Sequence, residues 1–248
     1  MAKPAKSERQ AKIDAIRSKQ QNAERRRGLM IVGVCAVVAL LIVGAAAFQP
    51  IKNWWDTRQF RALELSEIGA PASSCQETET KEATGNAEHV DTSQQVEYDE
   101  APPAFGPHWN EFGVAPAPFS KKFYTTGDRP ELESLVHNLE HGYTVLWYDE
   151  TIAEDGEAMD AIRGIADKFE GTDNLRSKFI AVPWTAEDGD SFPDGQHVAF
   201  SHWSVGGDGD PNSGQQGVWQ YCSDPSGEAL EAFMEEYPYT DSPEPNAM

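Results

Sequence analysis

The chain has 248 residues, 39% of them hydrophobic, and a formal net charge of −21. That length allows one or two domains, and the apolar content is ordinary for a globular protein. A body this acidic repels phosphate, so a nucleic-acid partner is disfavoured.

The averages hide a division along the chain. Residues 1–28 carry nine Lys/Arg and three Asp/Glu, a local charge of +6. Residues 29–48, LMIVGVCAVVALLIVGAAAF, are twenty residues without a charge. Residues 49–248 hold eleven Lys/Arg against thirty-eight Asp/Glu, a charge of −27. About 20 apolar residues make a helix long enough to cross a bilayer core of about 30 Å, and a lone helix satisfies its own backbone there. Residues 29–48 are therefore read as a transmembrane helix. Arg25, Arg26 and Arg27 precede it directly, and cytoplasmic flanks are enriched in Lys and Arg. This orientation makes residues 1–28 a basic cytoplasmic arm that touches anionic lipid heads. It puts the acidic body on the extracytoplasmic side of the cell membrane. Trp54 and Trp55 fall where indole rings favour the outer interface. A cleaved signal sequence is the alternative, but the apolar run exceeds the usual signal core. Cys35 lies inside that run and reads as a small helix residue.

Residues 49–70 are expected to be a juxtamembrane stalk or adaptor, partly helical, with Phe60, Leu63 and Leu65 as apolar points. Gly69-Ala-Pro71 ends it. Residues 71–237 form the globular domain and residues 238–248 a flexible tail. Residues 76–88 read as a polar loop. Val90, Val96 and Tyr98 suggest a short strand. Pro102, Pro103, Gly106 and Pro107 impose an irregular, stiff segment, and a loop continues to residue 130.

Periodicity is clearer beyond that point. Residues 131–141 carry Leu132, Leu135, Val136 and Leu139 at helical spacing, and Gly142 is a natural stop. Residues 143–148, 179–184, 198–205 and 218–222 read as strands. Residues 152–170 make an amphipathic helix, and residues 226–236 a last one. A strand–helix–strand order favours a parallel crossover. The fold class is α+β, a small mixed sheet with packed helices after a loop-rich segment. The aromatic set Trp109, Trp147, Tyr148, Trp184, Trp203, Trp219 and Tyr221 reads as core.

Two cysteines remain outside the span, Cys75 and Cys222. An even pair in an oxidising compartment is more often a disulfide than two free thiols. A metal ligand or redox thiol is the alternative, without a CxxC motif to support it. The chemistry rests on histidine. His137 and His141 are four apart, so both can aim at one ion from one helical face. His108, in a rigid FGPHW turn, can supply a third ligand, His89 a fourth, and Glu140 an oxygen nearby. Imidazole suits copper and zinc, and copper tops the divalent affinity order for nitrogen sites. The bland alternative is a packed helix whose His141 caps its end. His137-x-x-Glu140-His141 also matches the inverted zinc-peptidase pattern, with Glu140 as general base. A short helix that stops at the second histidine argues against that hydrolase. His197 and His202 read as ordinary strand-flanking positions, and Asp208-Gly-Asp210-Pro-Asn212 as an acidic turn short of a calcium loop.

PPAFGPHW (102–109) and LVHNLEHGYTVLWY (135–148) resemble the signature blocks of the domain of unknown function 3105 family. HV at 89–90, with VEY at 96–98, is similar to its first His-Val block. AFGPHW stands where the family more often has Thr-Ser-Gly-Pro-His. The resemblance covers roughly residues 70–237, implies an actinobacterial membrane-anchored protein and supplies no activity. It places His89, His108, His137 and His141 at matching motif positions. A metal-binding domain is thus the first expectation. The second is a non-catalytic scaffold or accessory subunit with a cell-envelope protein partner.

Overall fold

A computed structural model describes residues 4–83, 87–116, 121–171, 174–206 and 213–247. The chain divides into two compact units, Met1–Trp55 and Asp56–Met248.

Helix α1, Pro4–Thr57, carries the apolar run. It is long and apolar enough to cross a membrane, with a mean hydropathy of 2.9 over its most apolar stretch and none of that stretch buried. Leu29, Ile31, Leu40, Leu41 and Ile42 are all exposed. A helix stretch apolar on every side fits a single-pass membrane anchor by its length and composition.

The second unit is built on a five-stranded mixed sheet. Strands β1 (Glu79–Glu82), β4 (Thr144–Tyr148), β5 (Phe179–Pro183), β6 (Val198–Ser204) and β7 (Gln216–Cys222) lie in the order β1-β7-β6-β4-β5. β4 and β5 are parallel, as their connection through α3 (Glu150–Glu154) and α4 (Gly156–Asp167) requires; the other pairings are antiparallel. Alternate residues of a strand face opposite sides, and the core divides accordingly. Leu146, Phe179, Ala181, Phe200 and Val218 face one way, against Ile162 and Ile165 of α4 and Leu230 and Phe233 of α5, Gly227–Glu236. Val145, Trp147, Ile180, Val182, Ala199 and Trp203 face the other way, against Leu135, Val136 and Leu139 of α2, Leu132–Glu140. Each large apolar side chain so buried contributes about 1.5–3 kcal/mol. Of the expected aromatic core, Trp147, Tyr148, Trp184, Trp203, Trp219 and Tyr221 are buried, while Trp109 is only half-buried.

Three expectations change. Residues 76–88 contain β1, a strand of four exposed polar residues held by antiparallel pairing to β7 rather than by side-chain burial. The stalk is not separate past residue 56. Ile68 is in the core, and Phe60, Leu63 and Leu65 pack against it. Residues 238–247 are not a loose tail. They dock where α2 ends, through Glu244 N–H to Glu140 O (2.9 Å) and through the buried ring of His202 to Asp241 O (2.9 Å). Their composition is polar, so periodicity shows nothing; backbone hydrogen bonds to buried partners hold them.

The Cys75–Cys222 disulfide is present, bridging 147 positions from the start of the unit to the end of β7. Bonds from Gln76 N–H to Tyr221 O (2.7 Å) and Ser223 N–H to Ser74 O (3.0 Å) flank it.

Candidate metal centre

A two-stranded parallel pair stands apart from the main sheet. β2 is His89–Val90 and β3 is His108–Trp109, in a register that sets His89 beside His108. Neighbouring strands are about 4.8 Å apart, so this register alone brings the two imidazoles together. Their ring centroids are 4.9 Å apart. The approach to β3 is a tight turn. Gly106 has φ +138°, and a Cβ there would stand 3.0 Å from the Tyr98 ring. Tyr98 donates its hydroxyl to Pro107 O at 2.7 Å, fixing the turn. Inside it, His108 Nδ1 is 2.9 Å from Gly106 O. A carbonyl only accepts, so Nδ1 carries the hydrogen.

The last turn of α2 supplies the other donors. His137, Glu140 and His141 sit at i, i+3 and i+4 and share a face. The helix closes in a Schellman motif, with Tyr143 N–H bonded to Asn138 O and Gly142 N–H to Leu139 O, both at 3.0 Å. Gly142 takes φ +87°, and a Cβ there would meet Tyr239 O at 2.2 Å. The docked segment 238–247 lies against this turn. The buried Lys178 donates to His141 O (2.7 Å), Pro245 O (2.9 Å) and Ala247 O (3.0 Å). Three carbonyls match the three N–H groups of an ammonium. Burial pulls the Lys178 amine down to about 8, which still leaves it charged at neutral pH. Gly142→Ala is expected to destabilise the domain by about 1–3 kcal/mol, the cost of a side chain in that backbone region. A lower denaturation midpoint at unchanged slope would confirm it, and an unchanged midpoint would count against this account of the turn.

The two structures meet at Glu140. Its Oε2 is 2.9 Å from His108 Nε2 and 3.6 Å from His89 Nε2. Among the described residues neither buried atom has a well-aligned hydrogen-bond partner. A carboxylate oxygen presents only lone pairs, so a ring nitrogen facing it at 2.9 Å calls for a proton or a metal ion between the two. Two ligand atoms about 2.1 Å from one ion are about 3.0–3.4 Å apart, and the observed separations bracket that spacing. The buried Nδ1 of His137 is likewise unpartnered. The donor atoms form two overlapping groups, His89–His108–Glu140 and His137–Glu140–His141, each with all ligand atoms within 4.8 Å.

Burial alone would raise the Glu140 carboxyl, but contact with His108 and the other rings more than offsets this, and it titrates below the usual range. Burial, reinforced by His141 and His108, pushes His137 down to about 4. Burial also takes His141 to about 4, with Glu140 opposing and Lys178 assisting. Both rings are therefore neutral at pH 7, the state a ligand needs. The metal-free protein should lose stability as pH falls from about 6.5 toward 4. In that window the unfolded chain takes up protons that the folded rings refuse, so stability falls with falling pH. Thermal midpoints of chelator-treated protein at pH 7 and pH 4.5 would show this. Equal midpoints in the wild type and a His137→Ala, His141→Ala double variant at both pH values would contradict it.

The structure brings together all five expected residues, His89, His108, His137, Glu140 and His141. It differs in detail, since Glu140 is the shared centre and His108 pairs with His89. Two contributors were not foreseen. Gly106 O orients His108, as carbonyls orient metal-binding histidines elsewhere. Glu244 Oε2 lies 3.5 Å from His141 Nε2. Neither carries a local sequence signal. Glu140, the general base of the hydrolase reading, lies among the candidate donor atoms. His197 bonds Asp149 (2.7 Å) and His202 is buried, its ring 3.0 Å from Tyr143 O. The acidic turn Asp208–Asn212 lies outside the described residues.

These features define an α+β domain with a His/Glu cluster, exposed at His89, between a short parallel strand pair and one helix terminus. The family model described as a protein of unknown function, DUF3105, matches residues 89–248. The chain belongs to that family, and the match takes in every residue of the cluster and the docked C-terminal segment. No curated protein and no solved structure matches the chain.

Proposed function

We propose that this is a single-pass membrane protein whose extracytoplasmic domain binds a transition metal through His108, His137, His141, His89 and Glu140. One observation carries the reading: four imidazoles and one carboxylate converge in two groups that share Glu140, the ligand atoms of each within 4.8 Å of one another, with buried nitrogens of His108 and His137 left without a hydrogen-bond partner among the described residues. A cation there would be held by those atoms. The imidazole-rich donor set suits copper or zinc, and copper comes first because it binds nitrogen sites more tightly among divalent ions. The acidic body supports accumulation of cations near the site. The outer location is supported by Arg25–Arg27 ahead of the apolar run and by the disulfide, since such bonds persist in oxidising compartments.

The full-length chain, purified in detergent and offered Cu2+ and Zn2+ in equal amounts, is expected to retain metal after desalting, with copper in excess. His137→Ala should lose most of it. A chain that retains neither metal above trace would refute the proposal, and zinc in excess would refute the preference for copper.

A further inference from the structure

Resting on the metal reading, we infer that the cluster holds two cations rather than one, bridged by the Glu140 carboxylate. The five donors do not surround one point equally. His89 and His108 come from the β2–β3 pair, and His137 and His141 from the end of α2. Each pair forms a close group with Glu140, and the two groups share only that residue. Within the pairs the ring centroids are 4.9 Å and 4.2 Å apart. Across the seam, His108 and His137 are 5.4 Å apart. A carboxylate has two oxygens and about four lone pairs. It can bind one ion on each side, as carboxylates do in sites where two metals lie about 3.5–4 Å apart.

A single tetrahedral ion takes four ligands and would leave one of the five donors in excess. Two ions use them all. Charge and support favour the second position as well. Glu244 brings another carboxylate to His141 at 3.5 Å, and its backbone is tied to Glu140 O. Each half also has its own exposed edge, His89 with 43% and Glu244 with 52% of the side chain accessible. Neither ion need pass the other to reach its place.

The full-length chain in detergent, stripped with chelator and titrated with Zn2+ alone, should retain two zinc ions per chain. His89→Ala should retain one, and His141→Ala one. A wild type that retains a single ion, weakened by both substitutions, would overturn the pairing and leave metal binding intact. Retention of none would overturn both. Loading the wild type with Cu2+ gives a readout that needs no variant. One equivalent should give a mononuclear paramagnetic resonance spectrum, and two equivalents the half-field transition of a coupled pair. An uncoupled spectrum at two equivalents would remove the bridge.

Discussion

Glu140→Gln is expected to abolish most metal-induced stabilisation while lowering the stability of the metal-free domain only slightly. Both effects follow from the loss of one negative charge. In the metal-free protein the Glu140 carboxylate stands 2.9 Å from His108 Nε2, and the surrounding rings hold its carboxyl below the usual range. Gln has nearly the same shape and can still hydrogen-bond, so only the attraction to charge is lost. The same change removes the charged oxygen ligand from both donor groups. Loss of a residue that merely orients a ligand already weakens metal affinity about 10–100-fold. At a thousandfold excess of metal over Kd, binding stabilises the wild type by about 4 kcal/mol, and a hundredfold weaker Kd removes about 2.7 kcal/mol of it. For a domain of this size that is about 5–11 °C in Tm. Thermal melts with and without Cu2+ measure both effects. A variant that keeps the wild-type metal shift would show that Glu140 is not a ligand. A metal-free variant that melts well below the wild type would mean that Glu140 has a structural role instead.

How much of this was visible in the sequence depends on whether the controlling interaction is local. The α2 terminus was visible because two histidines four apart and a following glycine are all within one turn, and helix geometry fixes their relation. Strands β4 to β7 were visible because a sheet packed on both faces needs near-continuous apolar runs, and TVLWY, FIAVP and VAFSHWS supply them. The pairing of His89 with His108 was not. It depends on a parallel register between two-residue strands nineteen positions apart, which no periodicity records. β1 escaped for a related reason. Glu79–Glu82 is exposed on every residue, and the ladder to β7 alone makes it a strand.

The site shows the same limit. Its donor residues could be proposed from residue type and rigid context, but their division between two groups around Glu140 is a property of the assembled fold. The docked segment is the sharpest case. Residues 238–247 are rich in Pro, Ser, Asp and Glu, a composition that suggests a solvated tail. Their order comes from buried partners elsewhere, Lys178 just before β5 and His202 within β6, polar positions beside or inside apolar strands. A buried lysine beside a strand start is a signal of something polar covering it, though it does not say what.

Replacing both cysteines, Cys75→Ser with Cys222→Ser, is expected to lower stability by about 2–5 kcal/mol, or roughly 5–15 °C in Tm. The bond joins positions 147 apart, and cross-linking a loop that long lowers the entropy of the unfolded chain by the equivalent of about 5 kcal/mol at 25 °C, an upper figure. The folded state loses little by comparison, because β1 stays paired to β7 and the flanking backbone bonds at Gln76 and Ser223 remain. The effect should therefore appear in the unfolded state. An unfolded chain without the link is more expanded and exposes more surface, so the denaturant slope should rise as the midpoint falls. Reductant should shift the wild type toward the double variant and leave the variant itself unchanged. A wild type insensitive to reductant, with a double variant of equal midpoint, would refute the loop-closure account. A lower midpoint at unchanged slope would instead place the loss in the native packing around Cys222, which is buried among Val198, Val218 and Leu230.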